Sequence, residues 1–229
     1  MEITGVKTIA QKGGKPDNSS VSQIVTSLFM LLIALTLAYA TYNRNFTWKD
    51  RPTLWADVVS KSPMKQRSRN NYATALVQDK RYQEGLAENI RNLEINPNYA
   101  KAHFNIGAIY QTWGLRDKAI EEYKLSLAIN PASPLAHNNL GYLYYSMGRM
   151  DEALIEFKAA LDVNPAHYKA RINIGKVYLD MGRFEDAALE IEKALRYNPY
   201  YSEGHMLLDR ARLGQKRLNG PAEGLSIER

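Results

Sequence analysis

The chain has no cysteine, and its 229 residues include only four histidines, five phenylalanines and nine prolines. Without thiols there is no disulfide scaffold, thiolate zinc site, iron–sulfur ligation or cysteine nucleophile. Four histidines supply a metal site thinly. No nucleophile–base pair, phosphate-binding glycine loop or tight pair of acids stands out, so neither catalysis nor a cofactor is expected. Apolar residues make up 45% of the chain, which excludes a disordered polyelectrolyte and leaves room for one or two domains with a buried core.

Charge of one sign is only mildly in excess, at +6 with a pI near 9.3. By segment, residues 1–65 carry +4, residues 66–219 carry +3 and residues 220–229 carry −1. The larger share therefore sits in the first quarter. The remainder shows the mixed charges of solvated helices, not the basic stripe of a nucleic-acid reader, and no nucleic-acid or small-molecule partner is expected.

No charged residue lies between Asp17 and Arg44, and the apolar part of that gap covers residues 24–42. At 1.5 Å per residue this run is about 28 Å long, close to the thickness of a hydrocarbon core. Ile24, Leu28, Leu32 and Leu35 read as lipid-facing, and Tyr39, Tyr42 and Trp48 as an interfacial anchor. Small residues at Ser27, Ala34, Ala38 and Thr41 permit close packing against other spans. A cleaved signal, with Ala38-Tyr39-Ala40 as its site, and a buried soluble helix are the alternatives; the long stretch before Ile24 argues against the signal. Lysines at 7, 12 and 15 balance Arg44, Lys49 and Arg51, so flanking charge leaves the orientation open. Residues 1–23 read as a flexible tail and 24–43 as a single transmembrane helix.

A period of 34 residues dominates the remaining three quarters of the chain. Asn-Pro recurs at Pro97, Pro131, Pro165 and Pro199, and one further step back falls on Pro63. With Pro placed at position 32, the units are 66–99, 100–133, 134–167 and 168–201. Position 8 is small (Ala73, Gly107, Gly141, Gly175), and position 24 is mostly bulky (Asn89, Tyr123, Phe157, Ile191). Position 11 (Leu76, Tyr110, Tyr144, Tyr178) and position 20 (Gly85, Ala119, Ala153, Ala187) complete a pattern for two antiparallel helices in close contact. The first helix is expected to cover positions 1–14 and to exit through glycine at position 15, where repeat 1 has Lys80. Asp117 and Asp151 are expected to cap the second helix, with Glu185 near its positive end. Residues 202–218 read as a polar-faced C-terminal capping helix, with Met206, Leu207, Leu208, Ala211 and Leu213 turned inward, and 219–229 as a flexible tail. Residues 44–65 form a juxtamembrane segment with an N-capping helix around Trp55.

In period and positions the units closely resemble the tetratricopeptide repeat (TPR). The resemblance implies an all-α fold: a TPR helical-hairpin solenoid of four repeats plus capping helices after a single transmembrane helix. It also implies a concave groove lined by positions 2, 5, 6, 9, 12 and 13 that binds protein partners as an extended peptide or a helix. Position 6 is asparagine throughout, at Asn71, Asn105, Asn139 and Asn173, and a row of amides is suited to a peptide backbone of any sequence. Local hydrogen bonding of the same amides is the plain alternative. Asn70, Asn138, Lys101, Lys176, Tyr142 and Tyr145 share that groove, the two tyrosines reading equally as an aromatic platform or as partial packing. A clamp for carboxylate termini is disfavoured, since repeats 1–3 offer Asn70, Thr74, Asn105, Leu135 and Asn139 at its positions. His103, His137 and His205 all fall at position 4, on the order of 10 Å apart in adjacent repeats, too far for one ion and suited to structure.

The junction before the first repeat carries Arg44, Asn45, Trp48, Leu54, Trp55, Asp57, Ser62 and Pro63. This pattern resembles the end of the last span in multi-span O-mannosyltransferase-like TPR membrane proteins. The resemblance implies a TPR domain on the outer side of a bacterial inner membrane, in the periplasm, without implying transferase activity. The expected role is a membrane-anchored, non-enzymatic scaffold that assists a bacterial envelope assembly such as a secretion, pilus or membrane-enzyme system. An accessory subunit of a glycan-transferring system and a cytoplasm-facing adaptor are the alternatives.

Overall fold

The computed structural model describes residues 18–47 and 50–219. All regular structure among them is helical, in eleven helices. The chain divides into two compact units, the first ending at Leu54 and the second beginning at Trp55.

The first unit is dominated by α1 (Asn18–Thr47), which starts six residues before the apolar run. Its stretch Val21–Asn43 is long and apolar enough to cross a membrane, with none of it buried. Ile24, Leu28, Leu32, Leu35, Tyr39 and Tyr42 are all exposed. The three threonine hydroxyls inside this stretch are satisfied by the helix itself: Thr26 donates to the Ser22 and Gln23 carbonyls, Thr36 to Ile33 and Thr41 to Leu37. Such back-bonding removes the desolvation cost of a hydroxyl in an apolar surrounding. Trp48, Lys49, residues 1–17 and residues 220–229 lie outside the described residues.

The second unit repeats one hairpin. After α2 (Arg51–Lys61) come α3 (Gln66–Gln78) and α4 (Tyr82–Ile95), α5 (Ala100–Thr112) and α6 (Arg116–Ile129), α7 (Pro134–Ser146) and α8 (Met150–Val163), and α9 (Tyr168–Asp180) and α10 (Phe184–Tyr197). The last helix is α11 (Ser202–Asn219). Each first helix packs along its second helix, and each second helix packs against the first helix of the next repeat, so the odd-numbered helices from α3 line one face.

The close approach within a hairpin is set at position 8. A methyl group on Gly107 would fall 2.9 Å from the Tyr123 ring, one on Gly141 2.8 Å from Phe157, and one on Gly175 2.5 Å from Ile191. These partners, Tyr123, Phe157 and Ile191, are fully buried. The hairpin turns are closed by a left-handed residue at position 15, with φ of +73°, +74° and +71° at Gly114, Gly148 and Gly182. Beyond it, the position-16 amide donates back to the position-11 carbonyl at 2.8–2.9 Å in all four repeats. This six-to-one bond satisfies the free carbonyls at the helix end. Repeat 1 makes the same turn with Lys80, at φ +63°.

Two expectations need correction. Asp117 and Asp151 do not cap: the N-cap residues are Leu115 and Arg149, and the acids sit inside the helix, in the first turn with Glu185. There they face the positive end of the helix dipole without bonding a terminal amide. Within the repeats the observed side-chain caps are Ser133 and His167, which accept from the Ala136 and Ala170 amides. Burial pushes the His167 imidazole below its ordinary range, which keeps the accepting nitrogen free of a proton. The second correction concerns α11, which buries Leu208 and Ala211 but leaves Met206, Leu213 and Leu218 exposed. No second helix comes after it within the described residues to cover that side.

Position 4 ties each repeat to the turn before it. His103 faces Glu122 through Nδ1 at 2.8 Å and the Pro97 carbonyl through Nε2 at 3.1 Å. His137 does the same with Glu156 at 2.7 Å and Pro131 at 2.9 Å. Arg171 bridges Glu190 and the Pro165 carbonyl, Arg69 bridges Glu88 and Pro63, and His205 reaches Pro199 at 2.8 Å. His103 and His137 each thus face two acceptors, the same task that a guanidinium performs in repeats 1 and 4. The histidines serve as struts.

Three outcomes are expected in denaturation of the full chain in detergent. Gly141→Ala should destabilise by about 1–3 kcal/mol despite alanine's better helix propensity, because the ring cannot retreat; pairing it with Phe157→Leu should recover part of the loss. Lys80→Gly should stabilise by roughly 1 kcal/mol, since only glycine takes the left-handed region without cost. His137→Leu should lower the midpoint, whereas His137→Arg should hold it near wild type, matching the residues native to this slot in repeats 1 and 4.

Candidate functional site

The face formed by α3, α5, α7 and α9 carries every groove residue named from the sequence. At position 6 the amides turn toward the preceding repeat. Asn105 Nδ2 lies 3.2 Å from Asn70 Oδ1 and 3.3 Å from Asn89 Oδ1. Asn173 donates to Asn138 Oδ1 at 3.1 Å, and Asn139 donates to the Tyr123 hydroxyl at 3.1 Å. That hydroxyl donates in turn to Gln111 Oε1 at 2.8 Å. Burial pushes the Tyr123 phenol up to about 12, slightly offset by the Asn139 amide. The local alternative is therefore close to what is observed, except that the partners lie one repeat away. Three of the four amides bind the repeats together through their nitrogen atoms. Asn71 makes no side-chain hydrogen bond to any described residue.

At the C-terminal end the groove is closed by its own charges. Lys176 Nζ lies 2.6 Å from Glu203 Oε1 on α11. Lys176 and then the Tyr201 hydroxyl hold the Glu203 carboxyl below its ordinary range. Tyr145 Oη donates to Asp180 Oδ2 at 2.6 Å, and Arg210 stands 3.6 Å from the same carboxylate. Burial first, and that hydrogen bond second, push the Tyr145 phenol up to about 12. Tyr145 packs against the core, whereas Tyr142 is 44% exposed.

The N-terminal end is open. A cleft of 260 Å³ lies where repeats 1, 2 and 3 meet. Phe104, Leu135 and Ala100 give it apolar walls, and Asn70, Asn105 and Lys101 are on its rim. Phe104 is held by a tilted contact with the Tyr123 ring, 5.7 Å between centroids. Leu135 is 56% exposed. Neither apolar residue is among the binding residues expected from the sequence. The available signal was a leucine at position 2 and a phenylalanine at position 5, in rows otherwise occupied by polar or charged side chains in the first three repeats.

Comparisons with known proteins agree with this architecture. A TPR repeat model matches residues 117–148, and a tetratricopeptide repeat model matches residues 138–202 and 172–218. Protein O-mannosyl-transferase TMTC3 of Homo sapiens is 23% identical over 118 residues, 52% of this chain and 13% of that protein. The chain thus corresponds to a small part of the length of that relative. Among solved structures, PilF of Pseudomonas aeruginosa superposes with a TM-score of 0.60 at 23% identity, covering 69% of this chain and 78% of that one. The first TPR of Spaghetti (RPAP3), solved bound to an HSP90 peptide, superposes with a TM-score of 0.50 at 22% identity, covering 51% and 92%. Residues 117–218 thus match tetratricopeptide repeat models, and the second unit folds as a TPR solenoid.

Proposed function

We propose that the protein is a membrane-anchored TPR scaffold that binds a protein partner on the face of α3, α5, α7 and α9. In this reading residues 24–43 cross the membrane, 66–201 form the four repeats and 202–218 close them. The reading rests on one observation above others: this face keeps an open cleft and a row of amides, at Asn105, Asn139 and Asn173, of which the Asn139 oxygen accepts only from Asn138 at 3.4 Å and the other two oxygens accept from no described residue. Support for the anchor comes from the exposed apolar stretch of α1 with its internally satisfied threonine hydroxyls. The role is to hold components of a bacterial envelope complex together at the inner membrane, with the repeats in the periplasm and catalysis left to others. The similarity to TMTC3 favours one specific alternative, an accessory subunit of a glycan-transferring membrane system.

Photo-crosslinking residues introduced at Lys101 or Tyr142 are expected to capture a discrete partner in cells, in a product that stays in the membrane pellet after alkaline extraction. The same residue at Glu121, on a second helix, is expected to capture none. Adducts from Glu121 with none from the groove would overturn the binding face, and release of the product from the pellet would overturn the anchor.

A further inference from the structure

The small net charge of the repeats conceals a separation. The first helices α3, α5, α7 and α9 together carry +5, with Asp180 their single acidic residue. The second helices α4, α6, α8 and α10 together carry −7. Part of the positive charge is neutralised locally: Arg69, Arg171 and Lys176 pair with Glu88, Glu190 and Glu203. Arg67, Lys101 and Lys169, all at position 2, form no ion pair with any described residue. The acids of this face are taken, Asp180 by Tyr145 and Arg210 and Glu203 by Lys176 and Tyr201.

The open cleft lies within this field. Lys101 is the one charged residue lining it, beside the apolar walls Phe104 and Leu135. Its 260 Å³ is below the roughly 300–1,000 Å³ of small-molecule sites and suits one inserted side chain. Nucleic acid is disfavoured, because it needs a continuous run of cations and here each repeat offers one at most.

Resting on the groove reading above, we propose that the ligand is an extended acidic peptide segment. It places one apolar side chain between Phe104 and Leu135 and sets the carboxylate of a neighbouring Asp or Glu on Lys101. Arg67 continues the positive rim toward the N-terminal side. The closed Lys176–Glu203 and Tyr145–Asp180–Arg210 end confines the segment to repeats 1–3. A side-chain carboxylate, not a peptide terminus, is the recognised group.

The test uses the full chain in detergent and a library of random eight-residue peptides joined to beads through their C termini, so that only side-chain carboxylates are offered. The expected selection pairs Asp or Glu with an adjacent Leu, Ile, Met or Phe. The best such peptide, measured by fluorescence anisotropy, should bind about tenfold or more weakly to Lys101→Glu and to Leu135→Asp. Ile155→Asp, on a second helix, should leave binding unchanged. Selection of basic peptides, indifference to the apolar residue, equal binding by Lys101→Glu, or preference for a single-stranded oligonucleotide in competition would overturn this proposal while leaving the groove as a binding face. Failure to select any peptide, or loss of binding with Ile155→Asp alone, would overturn both.

Discussion

The contact between a helix backbone at position 8 and a ring or branched chain at position 24 governs the rest of the structure. The Tyr123 and Phe157 rings lie directly against Gly107 and Gly141, so each hairpin closes to one spacing. Fixed spacing makes successive hairpins alike, and alike hairpins stack with all first helices on one side. Repeat 1 shows what happens when the contact is relaxed. Ala73 replaces glycine and Asn89 replaces the bulky residue, and both are fully buried. The shorter side chain makes room for the methyl group, and its amide oxygen accepts from Asn105 in the next repeat. An apolar contact within one hairpin is thereby exchanged for a polar link between two.

Neighbouring repeats are coupled at two separate points. On one side, position 4 spans from the preceding proline carbonyl to a glutamate of its own second helix. On the other, the position-6 amide reaches back to the preceding repeat. Both links are polar and directional, so they fix rotation as well as distance, which burial alone does not. Repeat 1 carries the heaviest polar load, with Arg69, Glu88, Asn89 and Asn92 all buried. Arg69 Nε and Asn92 Oδ1 find no partner there, a local cost of about 1–3 kcal/mol each. The N-terminal repeat is thus the one that carries unpaired buried polar atoms, and it borders the open cleft through Asn70.

The sequence made the periodic features plain and hid the atomic ones. Pro, Gly and the small and bulky positions recur every 34 residues because backbone geometry recurs. Period alone reveals which face a residue takes, not where its terminal atoms go. Lys176 reads from its position as a free groove cation, yet Glu203 lies 2.6 Å away on a helix outside the four repeats. The asparagine row lies on the expected face, but the nitrogen atoms of Asn105, Asn139 and Asn173 are committed across repeat boundaries, at separations of 16 and 35 residues that no local pattern displays. Asp117 and Asp151 mark the start of a helix correctly while sitting inside it, because arginine or leucine at position 16 takes the cap's backbone place.

The charge separation has two parts, and only the acidic one follows from the packing of the repeats. Second helices need acids. Position 23 must meet the position-4 strut, and the first turn of every second helix holds an Asp or Glu near its positive dipole end. First helices have the same dipole, yet none of α3, α5, α7 or α9 has an acid in its first turn. Three of them instead place a cation there, Arg67, Lys101 and Lys169, at the end where a cation costs a few tenths of a kcal/mol to about 1 kcal/mol. No ion pair among the described residues offsets this. A local preference broken three times at equivalent positions, on the face that holds the Phe104–Leu135 cleft, has no counterpart in the packing of the repeats and agrees with the proposed binding role of that face.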